Sequence, residues 1–431
     1  MYSNTQQSTI NYTKVFLVLS TLFLMWGFIT VLNFSLIEEL RDVFKLSFYE
    51  SLSINLTLYA TYFVISLPAG YLINIVGFRK GIIIGAGLAS FGCFLFYPAA
   101  ESNSFVKLLM ALFVLGAGFT FLQVASNPYV TLLGMRGKGA AKLSFIQAFN
   151  SFGTFLAPLL AGGLFLSISG IDPATIVTMT PEQIMEHKIL MVQIPYLVFG
   201  SIWFLLMLIV VLSELPKVYI EDQTPLIRPN EKEPRKYIFQ YPQVVKGAIT
   251  LFLYVGAEFS LAYYISEKGI TLIPYYWGLA LLGRFVGAGL LFVATSPRKL
   301  MKLSGSIAIF LLLVYMIVNN DEKHILTQTI DPALYLLVLI GLCNSIVWPT
   351  VFTMGIDGMG KYAIKASAVL VMSVFGGAVI PLIFVYLLTD YSIISAFPIL
   401  LLAYSVLIWF GTKGSVYEKK NNFYSLLSDK K

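Results

Sequence analysis

The chain has 431 residues, 58% of them hydrophobic and only 12% charged, with a mean hydropathy of +0.80. A water-soluble body carries about 25% charged residues, so this chain has too few to cover its surface and must face lipid. The net charge of +7 invites a nucleic-acid reading. The basic residues, however, sit in short loops between apolar runs and form no recognition helix, so no nucleic-acid partner is expected.

The polar N-terminus, Met1 to Lys14, precedes an apolar run without an early small-residue cleavage site, which reads as a first span rather than a signal peptide. A helix needs about 20 residues to cross the bilayer core. Apolar runs at 15–37, 52–75, 81–100, 107–129, 143–168, 189–213, 244–266, 270–294, 300–318, 333–354, 363–388 and 390–411 predict an all-α membrane protein with twelve transmembrane helices. The runs are too long and continuous for a β-barrel, whose strands alternate over about ten residues. Prolines inside them, such as Pro68, Pro128, Pro349 and Pro381, are tolerable where neighbouring helices satisfy the freed backbone groups.

The longest polar stretch, 214–243, includes Glu231, Lys232, Glu233, Pro234, Arg235 and Lys236 and reads as a cytoplasmic linker. It divides an N-terminal six-helix bundle, 1–213, from a C-terminal six-helix bundle with a cytoplasmic tail, 244–431. The second-longest, 169–188, joins spans five and six on the other side. With both termini in the cytoplasm, the inside segments hold 22 of the 29 lysines and arginines, the outside loops six, and Arg284 lies within a span. That asymmetry sets the orientation. Two halves suit alternating access around a midplane site. Cys93 and Cys343 both fall inside apolar runs, as small buried hydrophobes rather than a disulfide framework.

Between spans two and three the chain reads Gly70-Tyr71-Leu72-Ile73-Asn74-Ile75-Val76-Gly77-Phe78-Arg79-Lys80. Gly70 permits close helix packing, Gly77 a tight turn, and Arg79 and Lys80 anchor the cytoplasmic end and can brace a neighbouring helix. This resembles the loop signature of the major facilitator superfamily, with Asn74 where an aspartate is usual. Gln123-Val124-Ala125-Ser126-Asn127-Pro128-Tyr129, followed by Gln147-Ala148-Phe149-Asn150-Ser151-Phe152-Gly153, resembles paired signatures of the fucose and glucose/galactose permease family of proton-linked sugar transporters. Further matches are Pro181-Glu182-Gln183 in the outer loop, Gln193-Ile194-Pro195-Tyr196 opening span six, Tyr254-Val255-Gly256-Ala257-Glu258 in span seven, Gly283-Arg284-Phe285 in span eight and Pro349-Thr350 in span ten. The resemblance implies the major facilitator fold and a transporter, not an enzyme, moving a monosaccharide across an inner membrane.

Gln123, Asn127, Gln147 and Asn150 are amides in apolar spans and must find partners there. Such groups can be interhelical glue, or they can line a cavity and bond sugar hydroxyls, which need groups that both donate and accept. Gln147 and Asn150 share a helix face, and the resemblance places that pair at the sugar site. Asn127 is expected to satisfy carbonyls freed by Pro128. Trp26 matches a family tryptophan near the sugar. Trp348 stands where a related permease carries a tyrosine before the proline. Glu258 and Arg284 are the firmest intramembrane charges; they could pair with each other, and they are the coupling candidates.

The family pattern breaks at one point. Aligned through Trp26 and Asn33, its span-one aspartate falls on Phe34; aligned through Asn127-Pro128, its span-four glutamate falls on Gln123. The glucose/galactose branch also has glutamine at the second position. Phe34 departs from both branches. The substrate contacts expected are thus Gln147, Asn150, Trp26, Gln123, Trp348, Phe34 and Asn33. Coupling stays open between a proton carried by Glu258, an uncoupled facilitator, and a changed substrate. The rival is a major facilitator transporter of a siderophore, peptide or drug. A membrane enzyme would need a catalytic constellation, and the two histidines, His187 and His324, fall in outer loops far apart. No cofactor or metal is expected, and the chain is expected to be a monomer in lipid.

Overall fold

Lipid offers a backbone no hydrogen bonds, so each crossing segment must satisfy its own amides and carbonyls, and helices do this. The computed structural model describes residues 12–35, 40–41, 44–133, 138–169, 179–213, 215–216, 218, 237–293, 295–319 and 331–414. The first nine spans are α1 (Tyr12–Ser35), α2 (Phe48–Val76), α3 (Phe78–Glu101), α4 (Phe105–Leu132), α5 (Gly139–Ser169), α6 (Pro181–Leu212), α7 (Pro242–Gly269), α8 (Ile273–Val293) and α9 (Pro297–Val318). Among the described residues eleven stretches are long and apolar enough to cross a membrane, and the longest, Pro242–Val293, holds both α7 and α8.

Spans ten and eleven, expected as continuous helices, are each broken. Span ten is α10 (Leu334–Asn344) followed, after Ser345 and Ile346, by α11 (Val347–Ile356). The cause is Pro349, which has no N–H to give the carbonyl of Ser345 four residues earlier. Span eleven is α12 (Ala363–Met372), a 3-10 turn at Ser373–Phe375, and α13 (Gly376–Asp390). The last span is α14 (Ile393–Trp409), which ends in a π-helical turn.

Span six starts earlier than hydropathy suggests. Thr180 caps α6: its hydroxyl accepts from the Gln183 N–H at 3.3 Å, and its own N–H donates to Gln183 Oε1 at 3.0 Å. With Pro181 at the first helical position this is a complete start signal. Pro181-Glu182-Gln183 is therefore the first turn of α6 and not a loop, and His187 sits on the same helix. His324 lies outside the described residues, as do most of 214–243.

In the first bundle α1 packs on α5, and α4 on α2 and α3, with α6 against α3. In the second, α7 packs on α11 and α13, α10 on α8 and α9, and α14 on α9. Glycines set the closest approaches. A Cβ on Gly153 would run into the backbone of Leu24 and Phe28, bringing α5 onto α1, and one on Gly376 would run into the carbonyl of Phe252, bringing α13 onto α7. Large apolar side chains such as Phe63, Leu67 and Tyr71 of α2, Leu205 of α6 and Phe310 and Ile317 of α9 point outward, as a lipid-facing surface requires.

The bundles meet along two seams, α5 against α8 and α2 against α12. At the end where α2 turns into α3, the Ser367 hydroxyl donates to the Val124 carbonyl at 3.1 Å and Lys138 Nζ donates to the Phe292 carbonyl at 2.6 Å. At the same end Arg79 Nη2 donates to the Val211 carbonyl at 2.6 Å, bracing the last turn of α6 where orphan carbonyls collect.

Gly153→Ala forces a methyl against backbone that cannot rotate away, and overpacking of this kind costs about 1–3 kcal/mol. Thermal unfolding in detergent is expected to shift down by several degrees. Gly289→Ala, where nothing lies within 4 Å, is expected to leave the transition unchanged or raise it.

Candidate functional site

A cavity opens between the bundles. Spans one, two, four and five supply Trp26 and Thr30, Tyr59 and Tyr62, Gln123, and Gln147, Asn150 and Thr154. Spans seven, eight and ten supply Glu258 and Phe259, Trp277 and Arg284, and Trp348. The lining is mixed, with three amides, two opposite charges and several rings.

Arg284 crosses the seam. Its Nη1 donates to the Gln147 carbonyl at 2.9 Å and lies 3.4 Å from Gln147 Oε1 and 3.5 Å from Asn150 Oδ1. Its Nε donates to the Ser345 carbonyl at 3.1 Å, the group left without a donor by Pro349. The contacts with the backbone are good hydrogen bonds; those with the two side-chain oxygens are at or past the useful limit. Gln147 Nε2 reaches Asn127 Oδ1 at 3.4 Å, and Asn150 Nδ2 donates to the Phe23 carbonyl at 3.1 Å. The amide oxygens of Gln147 and Asn150 are thus loosely held and face the cavity.

Two buried polar atoms on the cavity wall have no partner, Gln123 Oε1 and Trp348 Nε1. One is an acceptor and the other a donor. A buried unsatisfied group costs about 1–3 kcal/mol; both atoms are shielded from the open space, so an entering molecule reaches them only after a side-chain shift. Trp348 is stacked near Phe352 at 6.1 Å between ring centres, and Trp26 is edge-on to Phe23 at 5.5 Å; both indoles are held in place.

Glu258, 7% exposed, feels the charge of Arg284 on the adjacent span but makes no contact ion pair with it. Its Oε1 instead faces the Tyr254 hydroxyl at 2.9 Å, which also lies 2.9 Å from the Asn344 carbonyl. Around them Tyr276 donates to the Glu258 carbonyl at 3.1 Å, Asn344 Nδ2 donates to the Tyr276 hydroxyl at 2.9 Å, and Tyr404 donates to Asn344 Oδ1 at 2.8 Å.

Of the residues singled out by sequence, Gln147, Asn150, Trp26, Gln123, Trp348, Glu258 and Arg284 line the cavity. Asn33 does not. Its Nδ2 donates to the Ile29 carbonyl at 2.9 Å and its Oδ1 accepts from Tyr196, so it ties α1 to α6. The side chain of Phe34 lies outside the described residues. Asn127 does not bond the carbonyls freed by Pro128: its Nδ2 is unpaired and its Oδ1 faces Gln147. Sequence reasoning missed Trp277, Tyr62 and the Tyr254–Asn344–Tyr276–Tyr404 cluster. Trp277 is seven residues before Arg284 and Tyr254 four before Glu258, both helix-face spacings from a charge. Among the described residues no group of three or more His, Cys, Asp or Glu could hold a metal ion.

Two six-helix bundles around a central cavity that carries polar groups are the architecture of a membrane transporter. The chain belongs to the Major Facilitator Superfamily, whose family model matches residues 17–381. It is 35% identical to the glucose/galactose transporter of Brucella abortus biovar 1 (strain 9-941) over 418 residues, 94% of this chain and 95% of that one. It is 28% identical to the L-fucose-proton symporter of Escherichia coli (strain K12) over 86% of each chain. The solved structure of the E. coli fucose:proton symporter superposes with a TM-score of 0.77 at 26% identity, covering 94% of this chain and 100% of that one.

Arg284→Met is expected to destabilise the protein by about 1–3 kcal/mol for each carbonyl left without its donor, at Gln147 and Ser345. Arg284→Lys keeps the charge but not the fork, and should fall between. Thermal unfolding in detergent with a common reference variant measures both.

Proposed function

We propose that this chain moves a monosaccharide of the fucose, glucose or galactose class across a bacterial inner membrane by alternating access. The observation that carries it is the cavity wall, where the loosely held amides of Gln147 and Asn150 stand with Gln123 and three indole rings. Sugar hydroxyls both donate and accept, so one ligand can bond both amides. Trp26, Trp277 and Trp348 supply apolar faces for the ring. The relatives named for glucose, galactose and fucose transport support the same substrate class. A siderophore, peptide or drug would be favoured by a cavity dominated by aromatics with Gln147 and Asn150 turned away; the rings are there, but both amides line the cavity.

The excess of lysines and arginines between spans two and three, in the 214–243 segment and in the tail supports cytoplasmic termini. In that orientation the Ser367–Val124 and Lys138–Phe292 bonds close the inner end. The monomer, with N- and C-terminal bundles split at 214–243, is the working unit. For coupling, Phe34 and Gln123 occupy the positions where the proton-linked pattern carries carboxylates, and neither side chain titrates. Glu258 is the carboxylate that lines the cavity, and it is the group on which a coupling proton would ride.

Uptake of labelled D-glucose, D-galactose and L-fucose into proteoliposomes tests the reading. Gln147→Ala and Asn150→Ala are each expected to lower uptake about ten-fold or more, the loss of one good hydrogen bond, with an unchanged gel-filtration profile. Uptake of none of the three sugars, together with uptake of an apolar solute, would overturn it.

A further inference from the structure

Tyr254 stands between two acceptors with one hydrogen to give. Its hydroxyl is 2.9 Å from Glu258 Oε1 and 2.9 Å from the carbonyl of Asn344. An ionised carboxylate only accepts, whereas a protonated one also donates. With Glu258 protonated, its O–H donates to the Tyr254 oxygen, and the Tyr254 hydrogen goes to Asn344. Every hydrogen then has an acceptor. With Glu258 ionised, the Tyr254 hydrogen turns to the carboxylate and the Asn344 carbonyl loses its donor, inside a protein core where that loss matters.

Asn344 is the last residue of α10, at the break in span ten. Its side chain cannot compensate, because Tyr276 holds Nδ2 and Tyr404 holds Oδ1. The next residue, Ser345, gives its carbonyl to Arg284, and Arg284 also reaches Gln147 and Asn150 across the seam. The break in span ten is therefore touched from one side by Glu258, through Tyr254, and from the other by the amides of the cavity, through Arg284. The titratable and charged groups around Glu258 are Tyr254 on its own helix, Tyr276 and Arg284 of α8, Tyr59 of α2 and Tyr404 of α14, with Cys343 of α10 behind Tyr276 and Tyr404.

We propose that Glu258 is the proton-binding group of the transport cycle and that Tyr254 reports its protonation to the break in span ten. This rests on the reading of the chain as a sugar transporter and adds the proton to it. One proton from one side of the membrane adds to a Glu258 carboxylate oxygen, and the same O–H bond breaks to release it on the other. No other bond changes. Protonation frees the Tyr254 hydrogen to hold the end of α10 to α7 at Asn344. Sugar drawing Gln147 and Asn150 away from Arg284 loosens the same junction at Ser345. The two events act on one backbone segment, which is how a proton and a sugar become dependent on each other.

The test compares two kinds of transport in proteoliposomes, sugar counterflow at equal pH and sugar accumulation driven by a pH gradient. One pH unit supports about ten-fold accumulation at one proton per sugar. Glu258→Gln is expected to retain counterflow and lose the gradient-driven accumulation. Tyr254→Phe, which keeps the carboxyl but removes the reporter, is expected to retain counterflow with accumulation cut about three-fold or more and with a flattened pH profile. Infrared difference spectra of the wild type are expected to show a protonated-carboxyl band that disappears in Glu258→Gln and shifts in Tyr254→Phe. Wild-type accumulation in both variants would overturn the relay and leave sugar transport standing. Absence of wild-type counterflow for every sugar tried would overturn the transport reading and the relay together.

Discussion

A single missing amide hydrogen organises the centre of this molecule. Pro349 cannot bond the carbonyl of Ser345, and in a membrane-embedded helix that carbonyl has no water to turn to. Arg284 supplies the hydrogen at 3.1 Å. A guanidinium has further donors in a fixed fork, so it can hold Gln147 of the opposite bundle at the same time. One buried cation thus repairs a broken helix, bridges two bundles and stands on the wall of the cavity. A lysine in its place could do one of these at a time.

The site contrasts with the packing that carries it. Gly27, Gly153 and Gly376 let backbones touch, and such contacts have no slack. The α1–α5 and α7–α13 pairs therefore behave as stiff units. The polar contacts inside the cavity are long, at 3.4 and 3.5 Å to the Gln147 and Asn150 oxygens. Stiff walls with weakly committed polar groups suit a binding site, since a ligand replaces poor bonds without deforming the frame.

Much of the architecture was legible because lipid allows few solutions. Twelve apolar runs of the right length imply twelve crossings, and two sixes follow from the polar middle. The break in span ten was less legible: prolines occur in most spans here, and α4, α5, α6 and α13 accommodate Pro128, Pro158, Pro195 and Pro381 within continuous helices. Whether a proline breaks a span depends on which neighbour can reach the freed carbonyl, and that is set by tertiary packing. The start of α6 was readable from Thr180, Pro181 and Gln183, but hydropathy averages past such a signal. Gln147 and Asn150 could be placed by their shared face. Asn33 was misplaced because its partner, Tyr196, is 163 positions away. The tyrosines around Glu258 were invisible as a group, since they converge from four helices.

The Lys138 bond to the Phe292 carbonyl has a bearing on speed. A clasp between opposite full charges in a low-dielectric seam is costly to separate. An amine on a neutral carbonyl at a solvated edge is a much lighter catch, worth about 1.5–3 kcal/mol at most. Asn74, exposed near the same end in the place of the usual aspartate, adds no counter-charge. The mouth at this end is shut by light hydrogen bonds, Lys138 to Phe292 and Ser367 to Val124, that thermal motion can undo on every turn of the cycle.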